Sequence, residues 1–297
     1  MKIETLKIGE ATLTAYIQKN APEIKNADRR PAVLILPGGG YEFVSNPENE
    51  PVALEYSAKG FQSFTLEYSV KEKGVFPVPE TEVLRATTVV RARAEEWFVD
   101  KEKIALVGFS AGGHLAASVG VHWSRESLLR AAGVSADEAK PNALVLIYPC
   151  ITAEKYSYPG IKAVHGRGLP EAETELLNVH RYVGPHTPPA YLCHTSEDTC
   201  VPVMNTLLFA SALAEHNIPF ETRIFKNGPH GMSLATAAVR PDPAKMSEEA
   251  RALIKNPKVL AHLKKSTAAF SVWMQESVAF LSDIFSCLLY TSPSPRD

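Results

Sequence analysis

Three residue types in this sequence, a serine, an aspartate and a histidine, stand in surroundings suited to nucleophilic chemistry. Ser110 is the central residue of Gly-Phe-Ser-Ala-Gly at residues 108–112, between an apolar run at 104–107 and an alanine-rich stretch typical of a helix. This pattern between a strand and a helix is the nucleophile elbow, in which glycines allow a turn too tight for side chains and the hydroxyl projects. The sequence therefore predicts Ser110 as a nucleophile.

A serine nucleophile needs a base and an acid that orients the base. Asp198 lies in a loop after the apolar run 190–194, and His230 lies in a loop after the run 220–225. The order Ser, Asp, His is the one that α/β-hydrolases use. If both runs are parallel strands, their loops meet Ser110 at one edge of the sheet. We therefore predict a triad of Ser110, Asp198 and His230.

Each partner of the serine also has a simpler interpretation. Taken alone, His230 fits a surface histidine, and Asp198 fits a turn or a helix N-cap. Glu197 is a neighbouring carboxylate that could be mistaken for the acid, although the spacing Asp-x-x-Val-Pro at 198–202 favours Asp198. The combination of all three positions in the correct order favours the triad.

A glycine run at residues 38–40 follows the apolar run 32–36 directly and offers backbone amides for an oxyanion. We predict an oxyanion hole made by the amide of Ala111 and an amide of Gly39 or Gly40. Pro37 stands where hydrolases often carry a histidine before this run. The alternative, a phosphate cradle, lacks both the Lys-Ser/Thr ending of a P-loop and the spacing of a dinucleotide fingerprint.

Two aromatic residues, Tyr41 and Phe43, come just after the glycines. We predict that their side chains lie beside the oxyanion hole and close the acyl pocket, which would favour acetyl over longer acyl groups. The alternative is that both rings pack in the core and leave a roomy acyl site.

The remaining histidines and the cysteines show no spacing typical of a metal site or of a disulfide framework. His114 is expected to pack or to bond locally within the helix after the elbow. The others without ligand spacing are His122, His165, His180 and His186. No metal is predicted.

Strand and helix patterns alternate along the chain, which indicates an α/β fold with a mostly parallel sheet covered by helices on both faces. A polar segment at 232–269, interrupted by prolines, is predicted as broken helix, and a last amphipathic helix should bury Phe270, Trp273, Met274, Leu281 and Phe285. The predicted strands are 11–17, 32–36, 61–68, 104–107, 143–148, 190–194 and 220–225, and the main helices are 49–59, 79–98, the one after Ser110, and 203–216.

The composition excludes several classes of protein. A net charge of −2 over 297 residues gives no electrostatic basis for binding nucleic acid or an anionic membrane. No apolar run approaches the length of about 20 residues that a bilayer span needs. The first ten residues lack the apolar region of a secretory signal. We therefore expect a cytoplasmic enzyme with one domain over residues 1–286 and leave its oligomeric state open.

Residues 287–297 are treated separately because their sequence matches a translated sequencing adapter. The codons TGT-CTC-TTA-TAC-ACA-TCT of a transposase adapter would encode residues 287–292. A natural tail rich in proline and serine is the alternative. We expect this segment to lie outside the fold.

Taken together, four motifs resemble those of bacterial α/β-hydrolases of the acetyl esterase and acetyl xylan esterase family. The motifs are Pro-Gly-Gly-Gly-Tyr at 37–41, Gly-Phe-Ser-Ala-Gly-Gly-His at 108–114, His-Thr-x-x-Asp-x-x-Val-Pro at 194–202 and Gly-x-His-Gly at 228–231. The resemblance implies hydrolysis of short acyl esters through an acyl-enzyme, on a substrate such as an acetylated xylo-oligosaccharide, without a cofactor. The polar segment 232–269 is longer than the family suggests.

Two other functions fit parts of the pattern. A serine peptidase of the prolyl-oligopeptidase type shares the elbow and the aspartate loop, but such enzymes usually carry a propeller domain that this chain has no room for. A binding protein with a hydrolase fold and no catalysis would usually lack a triad member, and none is missing here.

Overall fold

The computed structural model describes residues 1–240 and 242–287, in which eight strands pair into one sheet. The order across the sheet is β1-β2-β4-β3-β5-β6-β7-β8. The pairs β1–β2 and β2–β4 are antiparallel, and the six strands β3 to β8 are parallel to one another. This confirms the predicted mostly parallel sheet. The strands are β1 (Lys2–Ile8), β2 (Ala11–Ile17), β3 (Arg30–Leu36), β4 (Gln62–Glu67), β5 (Val99–Phe109), β6 (Ala143–Ile147), β7 (Ala190–Thr195) and β8 (Phe220–Phe225).

Strand β1 is the one strand of this sheet that the sequence patterns did not predict. It forms a hairpin with β2, in which Ile8 lies opposite Ala11. As an edge strand it leaves most of its side chains in solvent, and Ile3 is 59% exposed. Burial therefore imposes little alternation on its sequence, so the pattern on which strand prediction depends is weak.

Helices cover both faces of the sheet. They are α1 (Glu50–Ala58), α2 (Val78–Ala92), α3 (Ser110–His122), α4 (Glu126–Ala132), α5 (Ala136–Ala139), α6 (Glu171–Thr174), α7 (Met204–Glu215), α8 (Glu248–Lys255), α9 (Pro257–Phe270) and α10 (Trp273–Cys287). The predicted helix at 79–98 ends earlier, because α2 gives way to turns after Ala92. The two layers of helices bury both sides of the parallel strands, as in other α/β proteins.

Alternate residues of each central strand point to two separate cores. In β5, Leu106 packs with α2 and α3 in one core, which we call the α3 face, while Val107 packs with α1 and α10 in the other, which we call the α10 face. All the side chains of 104–109 are buried, which explains why the run reads as continuously apolar. Truncating a core residue such as Leu106 to alanine would cost about 2–5 kcal/mol of stability.

The segment between β8 and the last helix contains short turns followed by α8 and α9, in agreement with the predicted broken helix. The five side chains assigned to a last amphipathic helix are all buried. Phe270, however, is the final residue of α9, and the last helix begins at Trp273 after a break. Periodicity alone did not show this break, because Phe270 and Trp273 pack in the same core.

The parallel strands β3, β5, β7 and β8 all end at the same edge of the sheet. The glycine run follows β3, Ser110 follows β5, Asp198 follows β7 and His230 follows β8. In open α/β sheets this carboxyl edge is where ligands bind. The fold therefore brings the loops that carry the predicted site residues to one place.

Among the helices of residues 1–240 and 242–287, none combines the length and the hydropathy that a membrane span requires. Helix α10 extends to Cys287, the first residue of the predicted adapter segment, and the rest of that segment lies outside the described residues. The assignment of residues 1–286 to one domain stays a prediction.

Candidate active site

Ser110 lies at the junction of β5 and α3 with a left-handed backbone (φ 52°). Non-glycine residues rarely adopt this conformation, and it persists only where the surrounding structure enforces it. The enforcement comes from close packing at Gly112, where a β-carbon would lie 2.1 Å from the carbonyl oxygen of Leu36. The elbow therefore needs its glycine, and the turn keeps Ser110 at the end of the strand with 9% of its surface exposed.

A chain of hydrogen bonds joins Ser110, His230 and Asp198. The Nε2 atom of His230 lies 2.9 Å from Ser110 Oγ, and its Nδ1 atom lies 2.6 Å from Asp198 Oδ2. Both distances allow a hydrogen bond, and the shorter one is to the carboxylate, so one imidazole bridges the hydroxyl and the carboxylate. The edge of the Tyr148 ring packs against the imidazole with 4.9 Å between centroids, which helps to fix its plane. This is the spatial arrangement of a nucleophile, a base and an orienting acid.

The Asp198 carboxylate is buried and holds several donors. Its Oδ1 atom accepts the backbone N–H groups of Cys200 and Val201, each at 2.9 Å. Its Oδ2 atom lies 3.3 Å from Nε2 of His194 as well as near His230. Burial by itself would raise the pKa of Asp198, but the hydrogen bonds from the two histidines and the backbone outweigh it and lower the pKa well below its usual range. Asp198 is therefore an anion at neutral pH.

Glu197, the neighbouring carboxylate, faces away from this chain of bonds. It accepts the backbone N–H of Gly228 at 3.0 Å and the side-chain amide of Asn227 at 2.6 Å, and it pairs with His262 of α9 at 2.8 Å. These hydrogen bonds lower the pKa of Glu197 to about 2. Its partners hold the loop that leads to His230, so the structure brings Asp198 rather than Glu197 to the imidazole.

The glycine run lies against Ser110, since a β-carbon on Gly38 would come within 3.0 Å of Ser110 Cβ. Gly39 has φ +129°, and a β-carbon there would lie 1.9 Å from the carbonyl oxygen of Phe43. The amide of Gly38 is already used, because it donates to Glu48 Oε2 at 2.8 Å. Within the described residues, the amides of Gly39 and Gly40 have no protein acceptor.

The amide of Ala111 is in the first turn of α3, where a helix offers no intrahelical acceptor to its N–H groups. The helix N-terminus also favours negative charge at this position. The Ala111 amide is therefore adjacent to Ser110 and without an intrahelical acceptor, and the amides of Gly39 and Gly40 directly follow Gly38, which lies against Ser110. Their role stays a prediction.

The structure does not support a contact between Tyr41 and a substrate. Its ring is fully buried on the α3 face, where it stacks on His165 and its hydroxyl bonds Nδ1 of His114 at 2.9 Å. The residue turns inward because its left-handed backbone (φ 63°) ends the glycine run and directs the side chain under α3. Phe43, by contrast, is 60% exposed, and its ring lies next to Gly39.

Sequence reasoning missed Tyr158, which lies over the glycine run. Its hydroxyl and ring carbon Cε1 are each 2.9 Å from the position that a β-carbon on Gly40 would take. Tyr158 is half-buried and packs against the core of the α3 face. It belongs to the irregular stretch after β6, where neither periodicity nor a motif marks individual residues, so no sequence signal pointed to it.

The other histidines do not form a second site. His114 donates from Nε2 to the carbonyl oxygen of Leu177 at 3.0 Å, and burial lowers its pKa to about 4. Its burial agrees with the expectation that it packs, but its hydrogen bonds reach Tyr41 and Leu177, which are distant in the sequence. In the described part of the chain, no group of three His, Cys, Asp or Glu side chains is arranged to hold a metal ion. The thiols of Cys150, Cys193 and Cys200 are free.

A strand, elbow and helix that present Ser110, with an acid loop after β7 and a histidine loop after β8, define an α/β-hydrolase. The model of one family within this class, BD-FAE, matches residues 18–213, so the chain belongs to the BD-FAE family. The resemblance inferred from the sequence motifs is thereby confirmed at the level of the family.

Several relatives are named for xylan or ester chemistry. Endo-1,4-beta-xylanase B of Butyrivibrio fibrisolvens is 32% identical over 70% of this chain and 33% of its own length. An acetylxylan esterase of Xylanibacter ruminicola is 26% identical over 69% of this chain and 42% of its own length. The chain thus spans less than half of these curated relatives.

Among solved structures, an acetyl ester-xyloside bifunctional hydrolase from Caldicellulosiruptor lactoaceticus is 32% identical to this chain. The match covers 91% of this chain and 89% of that one, with a TM-score of 0.67. Its extent shows that the similarity includes the region after β8 as well as the motifs around Ser110.

Proposed function

We propose that the chain is a serine esterase that hydrolyses short-chain acyl esters, acetyl esters above all, through an acyl-enzyme on Ser110. The observation that carries this proposal is the hydrogen-bond chain from Ser110 Oγ through His230 to Asp198. A hydroxyl with an imidazole in contact and a carboxylate behind it can be deprotonated as it attacks a carbonyl.

In the first half of the reaction, Ser110 Oγ attacks the ester carbonyl carbon while its proton passes to Nε2 of His230. The carbonyl π-electrons move to the oxygen, which becomes an oxyanion held by the backbone amides of Ala111 and of Gly39 or Gly40. The oxyanion then re-forms the carbonyl, the bond to the alcohol oxygen breaks, and the Nε2 proton goes to that oxygen. The products are the free alcohol and an acyl ester of Ser110.

In the second half, water takes the place of the alcohol. His230 removes a proton from water, the resulting hydroxide attacks the acyl carbon, and the bond to Ser110 Oγ breaks as Nε2 returns the proton. Asp198 remains ionised throughout, holds Nδ1–H and stabilises the imidazolium. Its strongly lowered pKa suits this role, because a carboxylate that picked up the proton would no longer stabilise the cation.

Preference for a short acyl group is supported by Tyr158. The acyl chain must lie near the oxyanion amides, and the ring of Tyr158 occupies the space directly over Gly40. An added methylene would press against this ring, and overpacking typically costs about 1–3 kcal/mol. That is enough to cancel the gain of about 0.8 kcal/mol from burying each methylene. In this proposal Tyr158 closes the acyl pocket, a part that sequence reasoning gave to Tyr41 and Phe43.

We further propose that the acyl group is carried by a carbohydrate, such as an acetylated xylo-oligosaccharide. This rests on the names of relatives, an acetylxylan esterase and an acetyl ester-xyloside hydrolase, and on no contact within this chain. None of the relatives described above is named as a peptidase or as a binding protein, so the two rival functions receive no support from them.

The test is turnover of p-nitrophenyl acetate and release of acetate from acetylated xylo-oligosaccharides. We expect Ser110→Ala to lower kcat by about 10⁴-fold or more while the far-ultraviolet circular dichroism is unchanged. A fluorophosphonate probe should label the wild type and fail to label the variant. Turnover retained by pure Ser110→Ala would contradict the proposal, and faster cleavage of a prolyl anilide than of the acetyl ester would favour the peptidase.

A further inference from the structure

A cavity of about 420 Å³ opens beside His230. One wall is the His230 loop, from Pro229 to Met232, and the others come from the segment after it and from α8 and α9. Most of the side chains that line it are aliphatic or thioether groups, among them Met232, Val239, Met246, Leu260 and Leu263. Arg240, Lys264, Thr236 and Thr267 are polar groups at its walls besides His230, and a mostly apolar lining with some polar groups is typical of sites for small ligands.

The cavity lies on the opposite side of the sheet from Tyr158. Its residues Met232, Ala235 and Val239 pack with the core of the α10 face, whereas Tyr158 packs with the core of the α3 face. Ser110 and His230 stand between the two. The two ends of an ester bound at Ser110 therefore meet different surroundings.

The direction of proton transfer determines on which side of Ser110 the acyl part and the alcohol part of the ester lie. The proton that Ser110 gives to His230 must go to the leaving oxygen, so the alcohol lies on the His230 side of the carbonyl carbon. The acyl chain extends the other way, towards the glycine run and Tyr158. The group attached to the leaving oxygen is thus directed to the α10 face, where the cavity is.

The wall formed by α9 is tied to the catalytic loop. His262 of α9 pairs with Glu197 Oε2 at 2.8 Å, and the same oxygen accepts the backbone N–H of Gly228, two residues before His230. Asn227 donates to the other oxygen of Glu197. The Glu197 carboxylate therefore holds both the α9 wall of the cavity and the loop of His230. This fixes the position of the cavity relative to the leaving oxygen.

We propose that this cavity binds the alcohol part of the ester through an alkyl or aryl group, which is either the alcohol itself or an aglycone of an acetylated sugar. The inference rests on the proposed esterase function and narrows its substrate class. Short acyl and bulky apolar alcohol is the combination that the two faces favour.

The test uses alkyl acetates, because their alcohols have closely similar acidity and differ in size. Burying a methylene contributes about 0.8 kcal/mol, or about four-fold in kcat/KM, so hexyl acetate should exceed ethyl acetate by about ten-fold or more. A ratio of one or less in the wild type would overturn the proposal.

Matched variants locate the effect. Leu260 lines the cavity and is 40% exposed, while Leu253 of α8 is 60% exposed and lies outside the lining. Leu260→Asp should reduce the hexyl-to-ethyl ratio by about ten-fold, since it places a charge where the apolar group must pack. Leu253→Asp should leave the ratio at the wild-type value, and Leu263→Ala gives a second variant without a new charge. Equal ratios in all of these proteins would overturn the proposal.

Binding of the product alcohol tests the cavity without turnover. Hexan-1-ol should bind the wild-type protein at least ten-fold more tightly than ethanol in saturation-transfer NMR, and Leu260→Asp should weaken it. Failure of the esterase proposal would appear as absence of turnover with every ester, whereas failure of the cavity proposal would appear as equal binding of the two alcohols.

Discussion

The two faces that flank Ser110 each bury a glutamate near the glycine run, but one is paired with a histidine and the other with a backbone amide and a phenol. On the α3 face, Glu80 Oε1 accepts from Nε2 of His165 and from the hydroxyl of Ser118, each at 3.0 Å. The other ring nitrogen of His165 lies 2.8 Å from the carbonyl oxygen of Gly74. Both nitrogens of His165 thus lie within hydrogen-bond distance of an oxygen, so the ring joins Glu80 to the backbone at Gly74.

On the α10 face, Glu48 has neutral donors. Its Oε2 atom accepts the amide of Gly38, and its Oε1 atom accepts the hydroxyl of Tyr148 at 2.7 Å. The Tyr148 hydroxyl in turn accepts the backbone N–H of Ser233, three residues after His230. This network connects the start of the glycine run to the loop that carries His230.

The difference appears in the acidities of the two carboxyl groups. Burial raises the pKa of Glu48, and its hydrogen bonds do not offset this. Burial acts in the same direction on Glu80, but the charge of His165 and its hydrogen bond outweigh it, so the pKa of Glu80 is lowered. One face therefore holds Tyr41, which follows the glycine run, through the Glu80–His165 pair, whose imidazole stacks on the Tyr41 ring at 4.0 Å. The other face holds Gly38, the first glycine of the run, through Glu48, which accepts hydrogen bonds from the Gly38 amide and the Tyr148 hydroxyl.

The largest effect is expected on kcat, from substitutions of the two carboxylates near His230, because one contacts the imidazole and the other only holds its loop. Asp198→Asn should lower kcat by about 10³- to 10⁴-fold, because the amide no longer fixes the imidazole tautomer or stabilises its cation. Glu197→Gln should cost at most about ten-fold, since it affects only the position of the loop. Steady-state kinetics on p-nitrophenyl acetate measures both, and the reverse order would assign the acid to Glu197.

The next largest effect should distinguish the two buried glutamates. Glu80→Gln removes the carboxylate that pairs with the buried His165 and should cost about 3–5 kcal/mol of unfolding free energy at pH 7. Glu48→Gln leaves one donor facing an NH₂ group and should cost about 1–3 kcal/mol. Urea unfolding of both variants measures the difference. Equal losses would show that the Glu80–His165 pair does not distinguish the two faces.

A smaller effect is expected from opening the acyl side. Tyr158→Ala removes the ring over Gly40, so the ratio of kcat/KM for butyryl to acetyl esters should rise by about ten-fold, as expected when overpacking of about 1–3 kcal/mol is relieved. Tyr158→Phe keeps the ring and should keep the ratio. Tyr41→Ala should also keep it, because that ring is buried away from the site. A raised ratio in Tyr41→Ala but not in Tyr158→Ala would restore the sequence-based assignment.

The smallest effect concerns the pH dependence of stability, to which Glu80 and Glu48 should contribute in opposite directions. The lowered pKa of Glu80 means that its contribution to stability is present above the unfolded value of about 4.3 and is lost as the pH falls through the folded pKa. The raised pKa of Glu48 means that stability falls as the pH rises from about 4.3 through the folded pKa.

Acidification from pH 7 to 3 should therefore shrink the difference between wild type and Glu80→Gln and enlarge the difference between wild type and Glu48→Gln. The changes should be on the order of 1 kcal/mol. Thermal unfolding across this range is the measurement, and parallel curves for the two variants would remove the distinction between the faces.

The fold class and the order of the three predicted catalytic residues along the chain follow from the sequence, because both depend on short-range patterns. Apolar runs of 4–8 residues mark buried strands, and glycines at fixed spacing mark a turn that no other residue allows. For the same reason the positions of Ser110, Asp198 and His230 at strand ends could be predicted from residues close to each of them.

Tertiary structure decided which side chains meet. Tyr41 was assigned to the acyl pocket by its neighbours in sequence, yet it bonds His114, 73 residues away, while Tyr158 from the irregular stretch covers Gly40. Likewise Glu48 finds Tyr148 across 100 residues, and Glu80 finds His165 across 85. A local pattern records the period and burial of an element, but contacts between elements depend on how several of them pack at once. The positions of Ser110, Asp198 and His230 in the chain could therefore be predicted from the sequence. The side chains that surround them could not, because they depend on how the sheet and its two helical layers pack.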